Sequence, residues 1–271
     1  MRKLINSGIH SNIYLSIGAL SLAYVSFVLL KMSFRWEPLF IAFSGTFFLY
    51  NLNRLTDKKE DEINYPERSK FVKKYGGLFF KFGFFLYGLS IFLSLYNGIY
   101  TFCIALIPLI LVILYSVFRL KKILYVKNVI VAVGWGTISF LVGSYSNVFS
   151  LEILLIFLFI FIRSLIQSII FDIKDVTGDG FYKINTIPKK HNIERTKNIL
   201  LILNTIFAFY CIFLIYSNLL IPTIFLLSFV AFYSYFYILA VGKVEIKILC
   251  EIADGEDILL GILALLSTLV W

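Results

Sequence analysis

The sequence predicts an all-α membrane protein with nine transmembrane helices in a single domain over residues 1–271. Three observations predict this class. The chain is 60% hydrophobic, with a mean hydropathy of +0.89, whereas soluble domains are only about 45–50% apolar. Its apolar residues form long runs, and its basic residues concentrate in alternate connections between those runs. Cys103, Cys211 and Cys250 lie in or beside apolar runs without metal-ligand spacing, and we interpret them as packing residues.

Nine apolar runs account for the predicted helices. A helix needs about 20 apolar residues to cross about 30 Å of hydrocarbon. The second run is short and the sixth is long enough to carry a polar end out of the bilayer. The runs cover residues 11–30, 37–53, 76–96, 99–118, 124–146, 149–171, 197–217, 219–241 and 249–271.

The basic residues predict the orientation in the membrane. Of the 25 Lys and Arg residues, 21 lie in the amino-terminal segment or in the connections after the even-numbered runs. The opposite connections contain only Lys31 and Arg35. Because cytoplasmic loops are enriched in Lys and Arg, the amino terminus and the site-bearing loops are predicted to be cytoplasmic, and the carboxyl terminus external. Topology thus explains the net charge of +9 without a nucleic-acid partner.

A dense polar segment follows the second run, with the sequence NLNRLTDKKEDEINYPERSKFVKK at residues 51–74. Asn53, Asp57 and Asp61 recur every four residues, so on a helix they share one face. Their oxygens are the hard ligands that Mg²⁺ takes in proteins. Neighbouring glutamates such as Glu62 fall off this face, and we interpret them as solvated loop charges.

A second polar segment follows the sixth run and repeats the pattern with Asp172, Asp175 and Asp179. The tails of the two segments are also alike, INYPERSKFVKK and INTIPKKHN. This similarity indicates a diverged internal repeat that would place the two acidic faces opposite each other across the bundle. Facing carboxylate clusters suit a diphosphate bridged by magnesium ions. The plainer alternative is that these acids are solvated charges beside the membrane.

Both segments resemble motifs of a known family. The stretch NRLTDKKED, from Asn53 to Asp61, resembles the NxxxDxxxD first motif of the UbiA superfamily of intramembrane prenyltransferases. The stretch DIKDVTGD, from Asp172 to Asp179, resembles that family's second motif, and INTIP follows it as a downstream TxP-type element. The resemblance implies nine helices around a central cavity, with Mg²⁺ and an isoprenyl diphosphate bound at the cytoplasmic end.

The resemblance also implies roles for individual residues. The expected catalytic residues are Asp57, Asp61, Asp175 and Asp179. The expected metal ligands are Asn53, Asp57, Asp61, Asp172, Asp175 and Asp179. The expected diphosphate-binding cations are Arg68, Lys121 and Lys174. Asp254 is left out of the metal set because an acid at the start of the last predicted helix also suits the helix dipole.

The chain departs from the family pattern at several positions. Arg54 stands where many members have an Asp in the first motif. Gln167 and Phe171 stand where Arg and Lys are common before the second motif. These departures leave the metal chemistry intact but leave the acceptor open, and they indicate a divergent subgroup.

The expected reaction is magnesium-assisted ionisation of an allylic diphosphate, with transfer of the prenyl group to a lipophilic acceptor. The acceptor would be a quinone or other aromatic precursor or a glycerol-phosphate lipid, and membrane lipid surrounds the protein. Alternatives are a terpene cyclase or prenyl-diphosphate hydrolase of the same fold, a non-catalytic binding protein, or a transporter. A transporter is disfavoured because its acids would lie near the midplane of the membrane, whereas the motif acids lie at helix ends.

Overall fold

The computed structural model describes residues 8–145, 149–182, 184–217, 219–220 and 223–270. Arg2, Lys3 and Lys183, which contribute to the predicted charge asymmetry, lie outside these residues. The described chain is all-helical, with ten α-helices and one short 3₁₀ turn, Leu120–Lys122. The all-α class predicted from the sequence is therefore confirmed.

Each predicted apolar run lies largely within one long helix, and one short polar helix, α3, is additional. The helices are α1 (Ile13–Leu29), α2 (Trp36–Thr56), α3 (Lys58–Asn64), α4 (Pro66–Asn97), α5 (Ile99–Ser116), α6 (Val126–Ser144), α7 (Leu151–Phe181), α8 (Ile187–Tyr216), α9 (Ile224–Leu239) and α10 (Ile246–Val270). Within the described chain, five helices, α4 to α8, are long and apolar enough to cross a membrane. That all nine long helices cross it stays a prediction.

Several helices extend well beyond their apolar runs. α4 begins at Pro66, ten residues before its run, because the fixed φ of proline suits the first helical turn. α7 continues to Phe181 and so carries the whole second acidic motif. α8 is interrupted at Asn192, whose φ of 62° and ψ of 171° are not helical. Both acidic motifs thus lie on or next to polar helix ends rather than in open loops.

The long helices form a closed ring. Each packs against the next in the chain, α2 packs against α4 across the short α3, and α10 packs back against α1. α7 also contacts α10, and its inner residues Ile156, Phe159 and Ile160 are fully buried. The short α3 lies against α4 and α7. The two acidic segments are therefore brought to the same end of the ring.

Candidate active site

The ring surrounds a cavity of about 560 Å³, lined mainly by α2, α5, α6, α7 and α10. All nine side chains selected from the sequence line it. They are Asn53, Asp57, Asp61, Arg68, Lys121, Asp172, Lys174, Asp175 and Asp179. Acidic segments that are more than a hundred residues apart in the chain therefore meet in one cavity.

The first motif is not one straight helix. α2 ends at Thr56, Asp57 has non-helical φ and ψ of −100° and 20°, and α3 begins at Lys58. The backbone N–H of Asp57 nevertheless bonds to the carbonyl of Asn53 (2.9 Å), and that of Asp61 to the carbonyl of Asp57 (3.0 Å). The four-residue hydrogen-bond spacing thus continues across the break, and all three side chains still reach the cavity.

Asp61 lies between two guanidinium groups. Its Oδ1 accepts a hydrogen bond from Arg68 Nη2 at 2.8 Å and a longer one from Arg54 Nη1 at 3.5 Å. Its Oδ2 is buried and has no hydrogen-bond partner among the described residues. Arg54 stands where the first motif of the resembled family often has an Asp, and here it adds a positive charge beside Asp61. The free Oδ2 is a carboxylate oxygen available to a ligand.

The other two members of the first motif are held by the last residue of α5 and by the connection that follows it. Lys121, in the 3₁₀ turn and 4% exposed, places its Nζ 2.6 Å from Asp57 Oδ1. The hydroxyl of Ser116 donates to Asn53 Oδ1 at 2.8 Å. The end of α5 and the connection after it thus fix the orientation of the end of α2.

Lys127 joins two acids of the second motif. Its Nζ lies 2.7 Å from Asp172 Oδ1 and 2.8 Å from Asp179 Oδ2, and it comes from the first turn of α6. Asn128 Nδ2 donates to Asp172 Oδ2 at 2.8 Å. Asp172 is only 1% exposed, and these two contacts engage both of its oxygens. From the sequence, Lys127 was counted among the basic residues after the fourth apolar run and was not selected as a site residue.

Tyr65, at the junction of α3 and α4, connects the first motif region to the second. Its hydroxyl donates to Asp175 Oδ1 at 2.5 Å. The guanidinium of Arg68 lies 3.5 Å from the ring centroid, and Lys174 Nζ lies 4.2 Å from it. Burial and the nearby negative charge of Asp175 raise the pKa of Tyr65 well above its usual value, so the hydroxyl remains a donor. Sequence reasoning did not select Tyr65.

The close packing of Gly178 against Asn64 explains why the second motif contains a glycine. Its backbone N–H donates to Asn64 Oδ1 at 2.9 Å. A Cβ at this position would lie 2.4–2.6 Å from the side-chain amide of Asn64. Only glycine allows the end of α3 to approach α7 this closely, which positions Asp61 and Asp175 at one end of the cavity.

A second polar group lies deeper in the ring and was not anticipated. Arg163 of α7 is fully buried, forms an ion pair with Asp257 of α10, and lies 3.6 Å from Glu256. Glu256 also accepts hydrogen bonds from Ser234 (2.6 Å) and Tyr237 (3.1 Å). The signal in the sequence was Arg163 inside an apolar run, since an unpaired charge at that depth is costly.

The interpretation of Asp254 as a helix-dipole acid is wrong. α10 begins at Ile246 rather than near residue 249, so Asp254 lies beyond the first two turns, where the dipole effect has decayed. Its side chain lines the cavity, as does that of Asp257 one turn further along.

The two acidic motifs meet at one end of the cavity, which we call the mouth. The side-chain oxygens there suit magnesium held together with a phosphate ligand. They are carboxylate and amide oxygens, the hard ligands that Mg²⁺ prefers. Among the described residues, no three His, Cys, Asp or Glu side chains are close enough to hold a metal ion by themselves. A metal bound here would therefore need further oxygens from a ligand, and Asp61 Oδ2 is free to contribute.

Long helices in a ring around an acidic and basic cavity define an integral membrane protein with an internal polar site. The sequence profile of the UbiA prenyltransferase family matches residues 19–246. The chain therefore belongs to the UbiA prenyltransferase family, whose members are enzymes that transfer prenyl groups, and the resemblance seen in the motifs is confirmed. No curated protein sequence matches the chain.

Solved structures share the fold. A UbiA homologue from Aeropyrum pernix K1 is 15% identical, with a TM-score of 0.75 over 94% of this chain and 98% of that one. A UbiA homologue from Archaeoglobus fulgidus, bound to GPP and Mg²⁺, is 14% identical, with a TM-score of 0.70 over 93% and 94%. A digeranylgeranylglyceryl phosphate synthase is 18% identical, with a TM-score of 0.63 over 98% and 97%. At these identities the similarity establishes the fold alone.

Proposed function

We propose that this protein is a magnesium-dependent intramembrane prenyltransferase that moves an isoprenyl group from an allylic diphosphate to a lipophilic acceptor. The observation that carries the proposal is the meeting of both acidic motifs and their cations at one end of an otherwise largely apolar cavity. Its relative from Archaeoglobus fulgidus, bound to GPP and Mg²⁺, supports the same pairing of ligands here.

Charge at the mouth favours a metal–diphosphate over a bare diphosphate. The five motif aspartates lie among five basic side chains, Arg54, Arg68, Lys121, Lys127 and Lys174. This set of charges is formally neutral, so a diphosphate alone would add several uncompensated negative charges in a site of low dielectric. Magnesium bound with it would offset that charge, which is why we expect donor binding to require the metal.

The contacts divide the predicted ligands into two groups. Asp57, Asp61, Asp175 and Asp179 would hold the magnesium, since each lines the cavity and Asp61 Oδ2 has no partner among the described residues. Asn53 would join them by exchanging the hydrogen bond that its Oδ1 accepts from Ser116 for the metal. Asp172 differs because both of its oxygens are engaged by Lys127 and Asn128. We therefore assign Asp172 to positioning Lys127 rather than to holding metal.

The apolar side of the cavity suits the isoprenyl chain. Below the mouth, α2, α5 and α6 contribute an apolar wall that continues toward the centre of the ring. Its residues are Ile41, Ala42, Leu49, Ile104, Ala105, Leu111, Val112, Ile138 and Leu141. A chain lying against this wall is removed from water, and each buried methylene contributes about 0.8 kcal/mol. The diphosphate would then remain at the polar mouth.

Transfer begins when the bond between the first prenyl carbon and its oxygen breaks and the electron pair leaves with the diphosphate. Magnesium held by the motif aspartates would supply positive charge to stabilise the leaving diphosphate. Arg68 and Lys121 would neutralise the remaining developing charge, because both are fixed by carboxylates at 2.6–2.8 Å. The largely apolar cavity wall would limit water near the allylic cation. The acceptor would then form a bond to the first prenyl carbon and lose a proton to the released diphosphate.

The test is product formation by membranes that contain the protein. Membranes would receive labelled allylic diphosphates of several chain lengths and a lipid extract, with magnesium or with EDTA. We expect a lipid-soluble labelled product in which donor and acceptor are joined, formed only with magnesium. Free prenyl alcohol as the sole product would indicate hydrolysis, and a hydrocarbon without acceptor would indicate cyclisation. Either result would contradict the transferase proposal.

A further inference from the structure

The cavity has a second polar region that the donor site does not use. Across from the apolar wall, α7 and α10 present Ser164, Asp254 and Asp257 to the cavity. Ser164 lies eight residues before Asp172 on α7, which corresponds to about 12 Å along the helix. The inner polar site is defined as Ser164, Asp254 and Asp257. Ser164 lies about two helical turns below Asp172, and Asp254 is close enough to the mouth to interact electrostatically with Lys174, Arg54 and Arg68.

The hydroxyl of Ser164 has no partner among the described residues and can form a hydrogen bond with a bound ligand. The residue is 2% exposed and lines the cavity, and its Oγ has no hydrogen-bond partner among the described residues. Most buried serines in these helices donate to a carbonyl of their own helix, as Ser139 does to Gly136 (3.0 Å). An unpaired buried hydroxyl is costly unless a bound molecule completes it.

The charges of the inner region leave an excess of negative charge. Arg163 is shared between Glu256 and Asp257, so one guanidinium faces two carboxylates. Glu256 is further satisfied by Ser234, Tyr237 and Gln167. Asp254 forms no direct hydrogen bond or ion pair in the described part of the chain, and the positive charges of Lys174, Arg54 and Arg68 offset only part of the formal charge excess of this region. The inner site therefore offers acceptor oxygens to a hydrogen-bond donor and repels an anion.

We propose that the inner polar site binds the hydroxyl group of an uncharged acceptor and so selects neutral, hydroxyl-bearing acceptors over anionic ones. This inference rests on the proposed prenyltransferase function, and it identifies the acceptor by class. The hydroxyl donates to a carboxylate oxygen of Asp254 or Asp257 and accepts from Ser164. An acceptor with a carboxylate or phosphate near this hydroxyl is excluded by charge repulsion.

Two matched pairs of probes test the selection. They are methyl 4-hydroxybenzoate against 4-hydroxybenzoate, and 1-O-hexadecylglycerol against its 3-phosphate. Each labelled probe is bound at equilibrium to the full chain in lipid nanodiscs, with magnesium and the inert donor analogue geranyl S-thiolodiphosphate. Binding of the donor analogue itself is measured separately with magnesium and with EDTA. The variants are Ser164→Ala and Asp254→Asn, with Ser139→Ala and Glu245→Gln as matched controls.

We expect the neutral member of each pair to bind at least about tenfold more tightly than the anionic one. Ser164→Ala should weaken neutral binding about threefold to tenfold, as for one lost hydrogen bond. Asp254→Asn should strengthen anion binding, because one negative charge is removed while the side-chain size is kept. Neither control variant should change any of these values, and a merely structural role for Asp254 would not improve anion binding.

Equal affinity within the pairs, no binding of either neutral probe, or wild-type behaviour of both variants would overturn the inference. These results differ from a failure of the proposed function itself. If the donor analogue did not bind with magnesium, the prenyltransferase proposal would fail even though the preference for neutral probes persisted.

Discussion

Replacing Lys127 with Met should destabilise the protein by about 3 kcal/mol in metal-free buffer. The Nζ of Lys127 lies 2.7 Å from an oxygen of Asp172 and 2.8 Å from one of Asp179, so these two oxygens are at most about 5.5 Å apart. Without the lysine, two carboxylates at that separation repel by roughly 3 kcal/mol at an effective dielectric constant of about 20. Breaking a buried ion pair typically costs a similar amount, about 3–5 kcal/mol.

Unfolding of the purified protein in detergent with EDTA measures this loss. Lys122→Met is the matched control, because Lys122 lies in the connection just before α6, and it should change stability by less than about 0.5 kcal/mol. Lys127→Arg retains the charge and should recover much of the loss. If the Met variants at 122 and 127 were equally stable, the view that Lys127 holds the second motif together would be refuted.

Three further predictions follow from the site and the topology. Asp57→Asn and Asp175→Asn should each lower turnover roughly 10²–10³-fold, whereas Glu62→Gln should leave turnover near wild type; equal losses of turnover in the three variants would contradict the separation of site acids from loop acids. EDTA should abolish binding of a labelled allylic diphosphate and Mg²⁺ should restore it, with Mn²⁺ as a substitute; retention of binding in EDTA would exclude a metal-bridged donor. Tags at residues 1 and 271 should be accessible from opposite sides of the membrane in protease protection assays, and labelling from one side only would invalidate the count of nine spans.

The sequence predicted those features of the fold and site that depend on local spacing. Apolar runs of about 20 residues predicted the long helices because burial in lipid requires that length. The regular spacing of Asp57 and Asp61, and of Asp172, Asp175 and Asp179, predicted which side chains share a face. Both inferences use only residues close together in the chain, and the structure places all of these acids in one cavity.

Features that depend on contacts between helices were not predicted. Lys127 appeared to be one of many basic loop residues, and only the packing of α6 on α7 shows that it bridges two acids. Asp254 was misread because the start of α10 was placed three residues too late. Arg163 gave a signal, but its partners are on α10, nearly a hundred residues away in the chain. Sequence spacing carries no information on such pairings.

Because of the contact between Gly178 and Asn64, the effect of a substitution at either position depends on the residue at the other. The two positions are 114 residues apart, and the space between them holds either the amide of Asn64 or a side chain at position 178, but not both. A methyl group at 178 would be tolerated only beside a smaller residue at 64. In a double-mutant cycle, Gly178→Ala and Asn64→Gly should therefore be non-additive, with the second change relieving part of the damage from the first. A relative that lost this glycine would be expected to have lost the amide as well.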